Sequence, residues 1–297
     1  MTQFLKLLDW IDINKLNWDC LSLNPSAIHL LEQNINKINW GYLSLNPSAI
    51  HLLEKNQDKI CWIRLSNNPG AIKLLKQNPD KIVWKYLSAN SNAIHLLEQN
   101  IDNINWDMLC YNPNAIHLLE QNQDKINWDM LSRNPGAIHL ISEALEQNID
   151  KIDWDMLSRN PSAIHLLEQN PDKIDWFALS INPGAIHILE QNLDKIDWEM
   201  LSVNPKAIHL LEQNLEKIYW SWLSKNPGAI HLLEKNLDKI YWYLLSNNPS
   251  IFTYDYDKIR AHCLIFKEYI MKNRFHPRNI PKFRDWGIDG FEDYEEE

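Results

Sequence analysis

The chain has 297 residues, a formal net charge of -10 at pH 7 and 45% hydrophobic residues. That acidic balance repels polyanions and argues against a generic nucleic-acid or anionic-membrane surface, while the apolar content is that of a chain able to bury a core. Cys20, Cys61, Cys110 and Cys263 form no CxxC pair, which is the usage of a reducing compartment and implies neither a disulfide framework nor a zinc site.

The N-terminus, Met1 to Trp10, lacks a basic start followed by an apolar run, and no stretch reaches the roughly 18–20 apolar residues of a membrane span. A soluble intracellular protein is expected. Residues 1–17 read as a reduced first unit that caps the next: Phe4, Leu7, Leu8 and Ile11 have helical spacing, and Ile13 to Trp18 mimics a joint that recurs later.

From there a tryptophan returns at 18, 40, 62, 84, 106, 128, 154, 176, 198, 220 and 242, a period of 22 residues with one interval of 26. A fixed period of this length marks a repeat array in which each unit buries its apolar face on its neighbours. Asn or Asp precedes the tryptophan at 17, 39, 105, 127, 153, 175 and 197, which predicts an N-cap and a first helix. Trp154 and Leu157 share a face of that helix. It stops before Asn160-Pro161, because the residue before proline avoids the α region.

Asn160 and Pro161 then open a second helix whose apolar stripe is Ala163, Ile164, Leu166 and Leu167. Asn170 is expected to end it in the left-handed conformation, and Pro171 to Ile174 to form one tight turn back to the core. A leucine-rich horseshoe with one strand per unit is the alternative. The free variation between Ser and Asn (Leu23, Asn67, Tyr111, Arg133, Lys225) speaks against an inward-facing strand. So does the long unit, where four residues enter the second helix near Ala137 to Asn148 and add about one turn.

After Trp242 the pattern fades, and Lys258 to Asn273 reads as a longer amphipathic helix with Ile259, Cys263, Phe266 and Ile270 on one stripe. A turn through 275–283, a final short helix closed by Gly287 and an acidic, disordered tail at 289–297 complete the expectation. Fold class and domains follow: an all-α chain, an α-solenoid of ten to eleven two-helix repeats over 18–250, an N-terminal cap at 1–17 and a C-terminal helical cap at 251–288. Stacked at helix-packing distances, about ten units make a rod roughly 100 Å long.

The conspicuous columns read as frame. His29, His51, His95, His117, His139, His165, His187, His209 and His231 share one position, broken only by Lys73. Units about 10 Å apart cannot share zinc through bonds of about 2 Å, so each histidine is expected to be half-buried and satisfied by a neighbour. Tryptophan with leucine three residues on is core. The asparagine before the proline position, from Asn24 to Asn248, is a capping ladder. No unique nucleophile, metal cluster or phosphate loop appears, so no catalytic residue, metal or cofactor is expected and the chain does not read as an enzyme. The basic run from Lys258 to Arg284 reads as a solvated cap.

Function in such arrays belongs to positions that vary while the frame stays fixed. Here these are the two residues after each tryptophan and the one before each Asn-Pro. Their mixture of aromatic and charged side chains suits protein recognition, and Tyr42, Arg64, Tyr86, Met108 and Trp222 are the candidate binding residues.

The unit Trp-x-x-Leu-Ser-x-Asn-Pro-x-Ala-Ile-His-Leu-Leu-Glu-x-Asn-x-Asp-Lys-Ile resembles the tandem 22-residue repeats of giant nucleocytoplasmic DNA viruses, mimivirus-like viruses especially. The resemblance covers about residues 10–250. The closing Phe-Lys-Glu-Tyr-Ile at 266–270 and Phe-His-Pro-Arg-Asn-Ile at 275–280 are similar to the ends of such proteins. Departures are Ser91 for proline, Lys73 and Lys76 in the third unit, and the four-residue insertion. The resemblance implies a viral origin and expression in the host cytoplasm or packaging in the virion, but no particular activity. A host or viral protein is the expected partner, with a virion or assembly role and a nucleic-acid-binding array as alternatives.

Overall fold

A computed structural model of the chain describes residues 4–147 and 151–273. The expected turn at 275–283, the helix near Gly287, the acidic tail and Arg274, Arg278, Lys282 and Arg284 lie outside the described residues. Two compact units are present, one of residues 7–252 and one that includes 4–6 and 253–273.

Residues 7–252 are an all-α solenoid of eleven repeats, numbered here by their tryptophans from Trp18 (unit 1) to Trp242 (unit 11). Unit 1 shows the plan: a first helix Trp18–Leu23, a 3-10 turn Pro25–Ala27, a second helix Ile28–Glu32 and a 3-10 turn Ile35–Lys37. The chain is helical where a leucine-rich horseshoe would place its strand. In unit 6 the second helix runs Ile138–Gln147, ten residues against five or six elsewhere, so the insertion adds a turn as its length required.

All seven expected first-helix caps form. Asn17 Oδ1, for example, accepts from the Cys20 N–H and Asp153 Oδ1 from the Met156 N–H. The core is the stripe the spacing implied, with Leu21, Ala27, Ile28 and Leu31 buried in unit 1 and Leu157, Ala163, Leu166 and Leu167 in unit 7. The second helix ends differently from expectation. Asn170 has φ -131° and ψ 61°, outside the left-handed region, and its Nδ2 donates back to the Leu166 carbonyl at 2.9 Å. A side chain thus satisfies the terminal carbonyl that a left-handed residue would otherwise have served.

The joint between units is a repeated hydrogen-bond set. Asn46 Nδ2 donates to the Ser22 and Asn24 carbonyls of the preceding unit, and its Oδ1 accepts from the Ser48 N–H. Ser22 Oγ donates to the Trp18 carbonyl and accepts from the Asn39 N–H of the next unit. These asparagines and serines are fully buried, so every one of their polar groups needs such a partner. Lys37 Nζ lies over the Trp18 ring at 4.3 Å, covering the outer face of a half-buried aromatic.

The same set joins unit 11 to unit 1. Asn24 Nδ2 donates to the carbonyls of Ser246 and Asn248 at 3.2 and 3.0 Å, the Asn17 N–H donates to Ser246 Oγ at 2.8 Å, and Lys15 Nζ sits over Trp242. The array is therefore a closed ring, not the rod of roughly 100 Å expected from stacking. The turn Ile13–Lys15 occupies, beside Trp242, the place that Leu237–Lys239 occupies beside Trp220. Unit 11 is thus built from both ends of the repeat region, with its first helix from the C-terminal side and its closing turn from the N-terminal side.

Closure also corrects the reading of the first residues. Leu5–Leu7 is a strand, β1, paired with β2 at Phe252–Tyr254. The Leu8 N–H to Ile251 carbonyl and Asp255 N–H to Phe4 carbonyl bonds show that the strands are antiparallel. The spacing of Phe4, Leu7 and Leu8 fits a helix, but a three-residue segment with a partner strand gains hydrogen bonds that one isolated helical turn could not. In the other compact unit a helix spans Tyr256–Asn273; Ile259 and Ile270 are half-buried as the stripe required, whereas Cys263 is exposed.

Candidate functional site: the first-helix wall

Consecutive first helices, and consecutive Asn-Pro turns, approach closely, whereas consecutive second helices meet mainly through side chains. In a closed ring the more closely spaced elements lie at the smaller radius. The first helices therefore occupy the inner circumference and the second helices the rim; 360° shared among eleven units is about 33° of turn each.

The histidine column lies on the rim. His51 Nε2 meets Glu32 Oε1 of the preceding unit at 2.8 Å, and the same pair recurs as His117–Glu98, His139–Glu120, His187–Glu168, His209–Glu190 and His231–Glu212. In these six pairs the neighbour satisfies the polar edge, and the side chains stand about half exposed. Where the preceding unit carries Lys76 in place of glutamate, His95 turns to its own Glu98. Burial raises the Glu32 carboxyl, but hydrogen bonds from His51 and His29 outweigh it and hold the group below its ordinary range. Among the described residues no three His, Cys, Asp or Glu side chains are grouped to hold a metal.

Cys110 stands in the serine column and is buried like the serines. Burial pushes its thiol up, and the Asn127 N–H of the next unit still bonds it, as the next unit's N–H bonds the serine elsewhere. A surface cleft of about 490 Å³ between Asp197–Glu199 and Glu216–Tyr219 is open and, apart from Glu199, lined by frame and joint residues.

The candidate residues Tyr42, Arg64, Tyr86, Met108 and Trp222 all stand two residues after the tryptophan that opens a first helix and are all half-buried. Closure places them on one arc: Trp222 in unit 10, then Leu244 and Cys20 in units 11 and 1, then Tyr42, Arg64, Tyr86 and Met108 in units 2 to 5. In a rod Trp222 would have been at the far end from Tyr42. Neighbouring variable residues touch. The Arg64 guanidinium lies 4.5 Å from the Tyr42 ring centre, Arg159 binds Asp155 at 3.1 Å and faces Phe177, and Trp222 Nε1 donates to Glu199 at 2.8 Å. Across the seam Tyr243 and Cys20 share a side-chain hydrogen bond, which holds the tyrosine hydroxyl above its ordinary range.

Tyr243 and Glu199 belong to the variable set, but nothing in their residue type or spacing singles them out. Glu199 acts through its bond to the next unit's indole, and Tyr243 becomes central only because unit 11 adjoins unit 1. The one signal for the latter was that Ile13 to Trp18 copies the joint that unit 11 lacks. No helix among the described residues is long and apolar enough to cross a membrane. No protein-family model, curated protein or solved structure matches the chain.

Proposed function

We propose that the ring is a non-catalytic scaffold that binds a protein partner along the first-helix wall. The observation that carries this reading is the division of labour within each unit. The Trp, Ser, Asn and Ala-Ile columns are consumed by the joint and the core. The column two residues after each tryptophan is chemically diverse and half-exposed at Trp222 and Leu244 and again from Tyr42 to Met108, with the buried Cys20 between them at the seam. Half-buried aromatic and arginine side chains on a rigid backbone are the residue types that dominate protein recognition.

Following the repeat resemblance, the source is a giant virus and the partner a host or viral protein met in the host cytoplasm; an assembly component carried in the virion is the alternative. Affinity purification from infected cells with mass spectrometry identifies the partner. Substituting Tyr42, Arg64, Tyr86 and Met108 together by alanine should then abolish capture while circular dichroism stays unchanged. Undiminished capture would exclude this wall. A nucleic-acid-binding array is disfavoured by the net charge; it predicts a gel shift that weakens with salt, which the scaffold reading does not.

A further inference from the structure

A second surface stands apart from the first-helix wall. Eleven large apolar side chains are exposed among the described residues of 7–252, and six of them, Leu193, Leu215, Tyr219, Leu237, Tyr241 and Ile13, lie on four consecutive connecting segments. These segments, 193–197, 215–219, 237–241 and 13–17, lead into units 9, 10, 11 and 1. They form one sector only because the ring closes: Lys239 covers Trp220 and Lys15 covers Trp242, which sets segment 13–17 beside segment 237–241.

The two tyrosines are costly to the fold. Residues 219 and 241 hold the cap position that Asp175 and Asp197 fill in units 8 and 9, and neither tyrosine makes a side-chain cap bond. A helix cap is given up for an aromatic ring that stands about half exposed. With half of the roughly 150–250 Å² that an aromatic can bury, and somewhat less for each aliphatic, the six side chains leave about 500 Å² of apolar surface. That lies in the upper part of the roughly 300–600 Å² spanned by the largest patch on a monomer, a size that is often functional. It is enough for the centre of an interface of about 800 Å² per partner.

We propose that this sector is the interface of a twofold dimer of the chain. Charge selects a second copy as the occupant. The four segments carry Lys15, Lys195, Lys217 and Lys239 against Asp194, Asp197, Glu216 and Asp238, four of each sign, so the sector is neutral on a chain of net charge -10. Within it each acid of one copy can meet a lysine of the other when the segments cross about a twofold axis. A patch confined to one sector and complementary to itself closes as a dimer and does not propagate.

Sedimentation or light scattering of the full chain tests this at about 100 µM, where any Kd below about 10 µM leaves most chains paired. The comparison variant is L215Q, L237Q, Y219D and Y241D. Glutamine occurs at the leucine position in Gln57 and Gln123, and aspartate at the cap position in Asp175 and Asp197, so the repeat itself accepts both. The wild type should be a dimer and the variant a monomer with unchanged circular dichroism and an equal or higher melting temperature. A monomeric wild type at that concentration would overturn the proposal. So would a folded variant that dimerises as tightly as the wild type.

Discussion

Asn134 engages every hydrogen-bonding group it has. Its Nδ2 donates to the Cys110 carbonyl at 2.7 Å and the Asn112 carbonyl at 3.1 Å, and its Oδ1 accepts from the Gly136 N–H at 2.9 Å. Because the site is buried, removing the amide leaves a donor and two acceptors without water to replace it. Asn134→Ala should therefore cost about 3 kcal/mol, read as a fall in the urea midpoint without loss of helical signal at low denaturant. Asn134→Asp should be no milder, since a carboxylate would face two carbonyl oxygens. A loss below about 1 kcal/mol would mean that the ladder is not what joins the units. The glycine after proline illustrates the same closeness: a Cβ on Gly136 would lie 2.6 Å from the Pro113 carbonyl oxygen. Units with a side chain there adapt, and Asn92 and Asn114 donate their amides to that carbonyl of the preceding unit, at 3.0 and 2.9 Å.

At the scale of one helix, most of what the unit does was legible. Asn17 and Asp153 precede a tryptophan and cap; Asn24 and Pro25 open a 3-10 turn that leads into the second helix. Local chemistry alone determines these features, so one unit read eleven times is sufficient. Units without the cap residue test the logic. Cys61 occupies the cap position before Trp62 with no side-chain cap bond, although its N–H bonds Ser44 Oγ as Asn39 bonds Ser22. Cys61→Asn should supply the missing acceptor to the Arg64 N–H and raise stability by about 1 kcal/mol; an unchanged or lower melting temperature would contradict the cap account. What sequence spacing could not show was the end of the second helix. The residue type of Asn170 suits a left-handed backbone, whereas its side chain reaches back to Leu166, and the two solutions leave the same trace in sequence.

For the whole molecule, the decisive quantity is the small turn per unit. It arises from the difference in spacing between first and second helices and accumulates over eleven joints, so no single repeat reveals it. The five candidate residues were identified from their variability, but their gathering on one arc depends on that accumulated turn. Closure removes the exposed end faces that an open array must cover and gives Asn24 the same three bonds as Asn134. The most direct test is the distance between the ends. Ser26 and Ser250 follow the Asn-Pro pairs of units 1 and 11, and spin labels on cysteines placed there, with Cys61 and Cys263 replaced by serine and the sample diluted in unlabelled chain, report it. The closed ring predicts backbones about 8–10 Å apart and strong dipolar broadening. An open rod would place the labels roughly 100 Å apart, and spectra without broadening would contradict closure.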